Sequence, residues 1–202
     1  MTKGTSRAFR VSDFVSPSAF GIRASAFGAM GAFTLIELLV VITVIIVLAG
    51  LILSTIGYVQ KKGARARAET EIAAISAACE SYKADNGIYP RSSAETDVLN
   101  PSSTDPTTYQ TASLKLYEFL SGDSNHDRMA DTKSYFTFKP NQLIPTDQTQ
   151  NVVALRDPFG NSYGYSTAKA SGAAFGYNPT FDLWSTAGGT QASDVPGWIK
   201  NW

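Results

Sequence analysis

Phe33-Thr34-Leu35-Ile36-Glu37-Leu38-Leu39-Val40-Val41-Ile42 opens an apolar run that continues to Ile56 and holds one charged side chain, Glu37, in 24 residues. At about 1.5 Å per residue a helix of that length spans roughly 36 Å, enough for a hydrocarbon core about 30 Å thick. The run therefore predicts a membrane-spanning helix. A carboxylate at its fifth position costs about 2.5 to 3.5 kcal/mol on insertion scales, so Glu37 implies a partner or, alternatively, snorkelling to the interface from the first turn.

Outward from the run, residues 1–32 carry Lys3, Arg7, Arg10 and Arg23 against Asp13 and show neither helical nor strand periodicity, as expected of a targeting segment. An uncleaved anchor with a disordered tail and an organellar transit peptide are the competing readings. With the leader's four basic and one acidic residues set aside, the rest of the chain holds 13 basic and 16 acidic side chains. That balance lacks the basic excess of a dedicated nucleic-acid binder. A single cysteine, Cys79, cannot close an intrachain disulfide, and a single histidine, His126, leaves His-based catalysis or a Cys/His zinc site short of ligands. Cys79 reads as a small core residue, and His126 as an exposed loop residue.

Downstream, Ile72, Ile75, Cys79 and Tyr82 recur at helical spacing, an apolar stripe on an Ala-, Lys-, Arg- and Glu-rich segment. No proline falls between Phe33 and Tyr89, so the spacing predicts one helix of about 50 residues, ended near Lys83 by Asp85-Asn86-Gly87 and Pro90. Twelve of the 22 residues 92–113 are Ser, Thr or Pro, predicting an irregular loop. Leu114, Tyr117 and Leu120 predict a short second helix stopped by Gly122. Aromatic-rich runs at 135–138, 163–166, 175–178 and 181–184 predict strands of a small antiparallel sheet. The expected organisation is a leader at 1–32, a membrane helix at 33–56, an amphipathic continuation at 57–84 and a globular head at 85–202, an α+β fold.

At Gly31-Ala32-Phe33-Thr34-Leu35-Ile36-Glu37 the chain closely resembles the type IV pilin superfamily, whose signal is a basic leader, a small residue, Phe, and Glu at the fifth mature position. Two features depart from the pattern: Ala32 stands where Gly is usual, and the leader is long. The resemblance implies that a prepilin peptidase cuts between Ala32 and Phe33 on the cytoplasmic side and N-methylates Phe33. The new amine of one subunit would then pair with Glu37 of its neighbour. Ser81-Tyr82-Lys83-Ala84-Asp85-Asn86-Gly87-Ile88-Tyr89-Pro90, Asp157-Pro158-Phe159-Gly160-Asn161, Phe181-Asp182-Leu183-Trp184 and the closing Ile199-Lys200-Asn201-Trp202 are similar to the major, G-type pseudopilins of type II secretion systems.

That likeness implies a pilin-like fold, a long helix packed on a small C-terminal antiparallel sheet. It also implies a non-enzymatic filament subunit of the bacterial inner membrane with a periplasmic head. Expected partners are prepilin peptidase, copies of the chain, minor pseudopilins and the inner-membrane secretion platform. A type IV pilin of a surface fibre and a membrane-anchored extracytoplasmic binding domain are the alternatives. Major pseudopilins bind Ca²⁺ in the C-terminal loop, which here offers Asp182 and Asp194, with oxygens of Leu183 and Ser185. Six to eight oxygens are needed, so packing of Trp184 and Trp198 is the competing way to hold this loop. A second cluster, Asp123, Asn125 and Asp127, has the spacing of a Ca²⁺ loop opening, but Arg128 replaces the turn glycine and Ser134 stands at the closing Glu position, so a solvated acidic loop is the alternative.

Overall fold

The computed structural model describes residues 33–202; the expected leader, with Ala32 of the expected cleavage pair, lies outside the described residues. Two compact units divide the chain, Met1–Ala49 and Gly50–Trp202. Helix α1 occupies Leu35–Asn86, 52 residues, running through Gly50, Gly57 and Gly63. It ends three residues beyond the expected Lys83, where the Gly87 amide reaches back to the Lys83 carbonyl at 2.8 Å.

In the first unit every described residue is exposed, including Leu35, Ile36, Leu38, Ile45 and Ile46. In the second unit α1 becomes one-sided: Ala68, Ile72, Ile75, Ala78 and Cys79 are buried, and Tyr82 packs partly against the same core. The predicted stripe is thus the face that carries the head. Facing it are Leu116, Tyr117 and Leu120 of a second helix and Leu155, Tyr163, Tyr165 and Leu183 of the strands. Polar ties fix the alignment: the Tyr163 hydroxyl donates to Glu71 Oε2 at 2.7 Å, and the Tyr165 hydroxyl to the Pro90 carbonyl at 2.7 Å. Burial pushes the Cys79 thiol well up, which keeps it neutral and inert as a core residue.

The second helix, α2 at Gln110–Ser121, begins inside the stretch whose composition predicts a loop. A 3₁₀ turn at Pro106–Tyr109 leads into it, with Asp105 accepting the Thr107 amide and Pro106 in the first turn, where its missing N–H costs nothing. Gly122 ends it as expected, at φ 74°; a Cβ there would also lie 2.7 Å from the Thr132 carbonyl oxygen.

Two of the four predicted runs, 163–166 and 181–184, form strands to within one residue, and the other strands lie where no run was predicted. The strands are β1 Leu143–Ile144, β2 Ala154–Leu155, β3 Gly164–Ser166, β4 Asp182–Ser185 and β5 Ile199–Lys200. β1 and β2 form one antiparallel pair, and β3-β4-β5 form a three-stranded antiparallel sheet with Gly164 opposite Trp184 and Ser185 opposite Ile199. The layout is a long helix with small antiparallel sheets, α+β. Residues 135–138 are not a strand: the Tyr135 and Phe136 amides both donate to the Leu120 carbonyl, and Phe138 packs on Tyr117 and Phe136. Nor are residues 175–178, whose amides at Tyr177 and Asn178 turn in to the Asp182 carboxylate. Both aromatic runs serve packing over α2 or a turn, and aromatic content alone does not separate these uses from strand pairing. A second cluster joins Trp184, Trp198, Tyr109, Leu99 and Ala112.

Candidate functional site

The start of α1 is built from local hydrogen bonds. The Glu37 amide donates to Thr34 Oγ1 at 3.2 Å, while Glu37 Oε2 accepts the Thr34 amide at 2.9 Å and the Thr34 hydroxyl at 2.8 Å. This is a capping box, in which two otherwise unpaired donors of the first turn are satisfied reciprocally. Thr34 was not singled out by the pilin-like pattern, yet Thr-x-x-Glu ahead of an apolar run is the sequence signal for it. The cap gives Glu37 a partner within its own chain. It engages Oε2 only, so Oε1 has no hydrogen bond among the described residues.

Around that carboxylate Phe33, Ile36, Val40 and Val41 line a shallow depression of about 340 Å³. These residues recur at three- and four-residue spacing and lie on one helix face, with Glu37 among them. Leu35–Asn86 is the one helix among the described residues long and apolar enough to cross a membrane, with a mean hydropathy of 3.1 over its most apolar window and none of that window buried. A helix apolar on all sides and unburied is one that awaits lipid or other helices.

The expected calcium residues are placed as follows. Asp182 is buried, and its two oxygens each accept one backbone amide, from Tyr177 at 2.9 Å and from Asn178 at 2.8 Å. Asp194 belongs to a 3₁₀ turn at Ala192–Gly197 and accepts the Gln191 amide at 3.1 Å. Ser185 gives its hydroxyl to Asp157 Oδ2 at 2.5 Å. In the other loop Asp123 is buried and accepts from the Tyr117 hydroxyl and the Asp127 and Arg128 amides, while Asn125 and Asp127 accept the next turn's amides. Arg128 adopts φ 75°, the conformation of the glycine it replaces, and its guanidinium binds the Gln150, Pro145 and Asp147 carbonyls. His126 is half-buried rather than exposed, its Nε2 3.6 Å from Glu118. As hydrogen-bonded, these carboxylates fit turn capping better than a cage of six to eight oxygens, and no cluster of three His, Cys, Asp or Glu suited to a metal occurs among the described residues.

Asp157, first residue of the Asp157–Asn161 turn, anchors that turn and the strand β4. Its carboxylate is buried, with Oδ1 accepting the Phe159 and Asn161 amides at 3.0 and 2.8 Å and Oδ2 the Ser185 hydroxyl. Burial raises its carboxyl above the ordinary carboxylate range, against the pull of those hydrogen bonds. The signal for it was the Asp-Pro-x-Gly-Asn turn itself. Comparison of the chain with family models, with curated proteins and with solved structures finds no match.

Proposed function

We propose that the chain is a structural, non-enzymatic subunit of a pilin-like filament, most like the major pseudopilin of a type II secretion apparatus. Prepilin peptidase cleaves it between Ala32 and Phe33 and N-methylates Phe33; the subunit spans the inner membrane with its N-terminus cytoplasmic and its head periplasmic. The secretion platform then extracts subunits into a short filament, with minor pseudopilins, that pushes folded proteins outward. The observation that carries this reading is an unburied apolar helix with one carboxylate in its first turn, set in an apolar depression with Oε1 unengaged. Parallel packing of such helices gives each Glu37 a neighbour's Phe33 amine at low dielectric, where opposite charges attract strongly.

Two measurements test it. Mass spectrometry of membrane-extracted protein is expected to find N-methylated Phe33 at the new N-terminus; an uncut chain in a host with the peptidase counts against processing. Filament yield in Glu37 variants then separates capping from pairing. Glu37→Gln keeps an acceptor for the Thr34 amide but loses the charge, so it is expected to insert normally and to lower filament yield roughly tenfold, like Glu37→Ala, with Glu37→Lys lower still. Normal filaments from Glu37→Gln would leave Glu37 a helix cap only. Co-purification with a secretin and secretion ATPase is the expected result for a pseudopilus, whereas long surface fibres would make the chain a type IV pilin.

A further inference from the structure

Four cations, Lys61, Lys62, Arg65 and Arg67, fall within seven residues of α1. They follow two exposed apolar turns containing Ile52, Leu53, Ile56 and Val59. At about 1.5 Å per residue Lys61 lies only 7 to 8 Å along the helix from Ile56. Three of these cations line a groove of about 620 Å³ whose opposite wall is the C-terminal loop, with Thr186, Gly189, Ser193 and Asp194. The Arg65 guanidinium, one of the lining groups, donates to the Gly197 carbonyl at 2.7 Å. Lys61 and Lys62 are exposed and make no hydrogen bond or ion pair among the described residues. Against three cations the lining offers one carboxylate, Asp194, already holding the Gln191 amide, while Glu69 of the next turn pairs with Arg65 at 3.4 Å and leaves the two lysines as the unpaired charges. The groove is therefore net positive, and the exposed apolar residues Ile52, Leu53 and Ile56 precede it on the same helix.

We propose that this groove seats the phosphate of an anionic phospholipid headgroup of the phosphatidylglycerol type, with Lys61, Lys62 and Arg65 as its cations and the Tyr58 and Ser193 hydroxyls as neutral donors. The acyl chains then run along the apolar turns before Tyr58, so headgroup and tail are met by consecutive turns of one helix. This inference rests on the membrane-spanning part of the proposed function. Basic groups next to a span are drawn to anionic lipid, and here the loop wall turns that diffuse attraction into a site of defined shape.

The test uses the full chain in vesicles of phosphatidylcholine alone or of phosphatidylcholine with phosphatidylglycerol. Flotation with both is expected; flotation with neither overturns the membrane span itself, independently of the groove. Acylation of lysines by an amine-reactive ester, read by mass spectrometry, is expected to fall at Lys61 and Lys62 by about fivefold or more when phosphatidylglycerol is present, with Lys169 unchanged. Inorganic phosphate or glycerol phosphate added to phosphatidylcholine vesicles is expected to protect far less. Ser193→Trp fills the groove without altering charge and is expected to remove the protection. Equal protection in Ser193→Trp means diffuse surface attraction and overturns the site. Protection in phosphatidylcholine that disappears on diluting the protein places a second copy in the groove and overturns the lipid assignment.

Discussion

Residues 35–49 and residues 68–82 of α1 are both apolar-rich and both helical, yet in the first stretch every residue is exposed and in the second one face is sealed. Ile45 is 57% exposed and Ile75 1%. The difference lies in how apolar positions are distributed. A helix apolar all round cannot be covered by one small head and needs an environment that surrounds it, whereas a stripe at three- and four-residue spacing needs only one packing partner. Charge follows the same division: between Phe33 and Ile56 Glu37 is the single ionisable side chain, whereas the later stretch carries Arg65, Arg67, Glu69, Glu71, Glu80 and Lys83, of which Arg65 and Glu71 bond to the head at Gly197 and Tyr163.

The contrast is broken most severely from the head side. A Cβ at Gly164 would stand 2.1 Å from the Trp184 ring, so Gly164→Val is expected to cost about 3 kcal/mol or more and to prevent stable folding of residues 57–202; cooperative urea unfolding at the wild-type midpoint would contradict it. Next comes the direct comparison of the two stretches. Ile75→Ala is expected to lower unfolding free energy by about 2 to 5 kcal/mol, while Ile45→Ala in the full chain in detergent leaves head unfolding unchanged. Equal losses would mean that the first stretch packs on the head.

A smaller effect tests the loops that close the head. Asp182→Ala strips the acceptor from two amides and is expected to cost about 2 kcal/mol, by the same amount in Ca²⁺ and in EDTA; a wild-type melting temperature that falls on chelation would give the loop a cation instead of a cap. The smallest effect is at Asp157. Its folded pKa lies above the unfolded value, so its contribution is full below about pH 4 and is lost as pH rises through the folded pKa. Asp157→Asn keeps an acceptor for the Phe159 and Asn161 amides and is expected to flatten that part of the stability profile, measured as urea midpoint against pH. An unchanged slope would assign it to another group.

How much was readable follows from the range of each interaction. Residues 72–82 announce their packed face because periodicity is local, and Gly122 ends α2 because a φ of 74° is a demand on one residue. The Thr34–Glu37 cap is equally local, and Thr-x-x-Glu ahead of an apolar run is its signature. The two-residue strands carry too few positions to show alternation, so β1, β2 and β5 had no signature, and Tyr135, Phe136 and Phe138 offered a false one.

The sequence by itself determined an apolar helix with one carboxylate near its start, a striped continuation and an aromatic head without disulfides, because composition and spacing act over a few residues. Tertiary structure alone decided that Asp157 meets Ser185, that Glu71 meets Tyr163, and that Lys61, Lys62 and Arg65 face a loop more than a hundred residues away in the chain. Those partners are chosen by which surfaces the core brings together, and a hydrogen bond or groove between distant residues leaves no mark on the spacing of either.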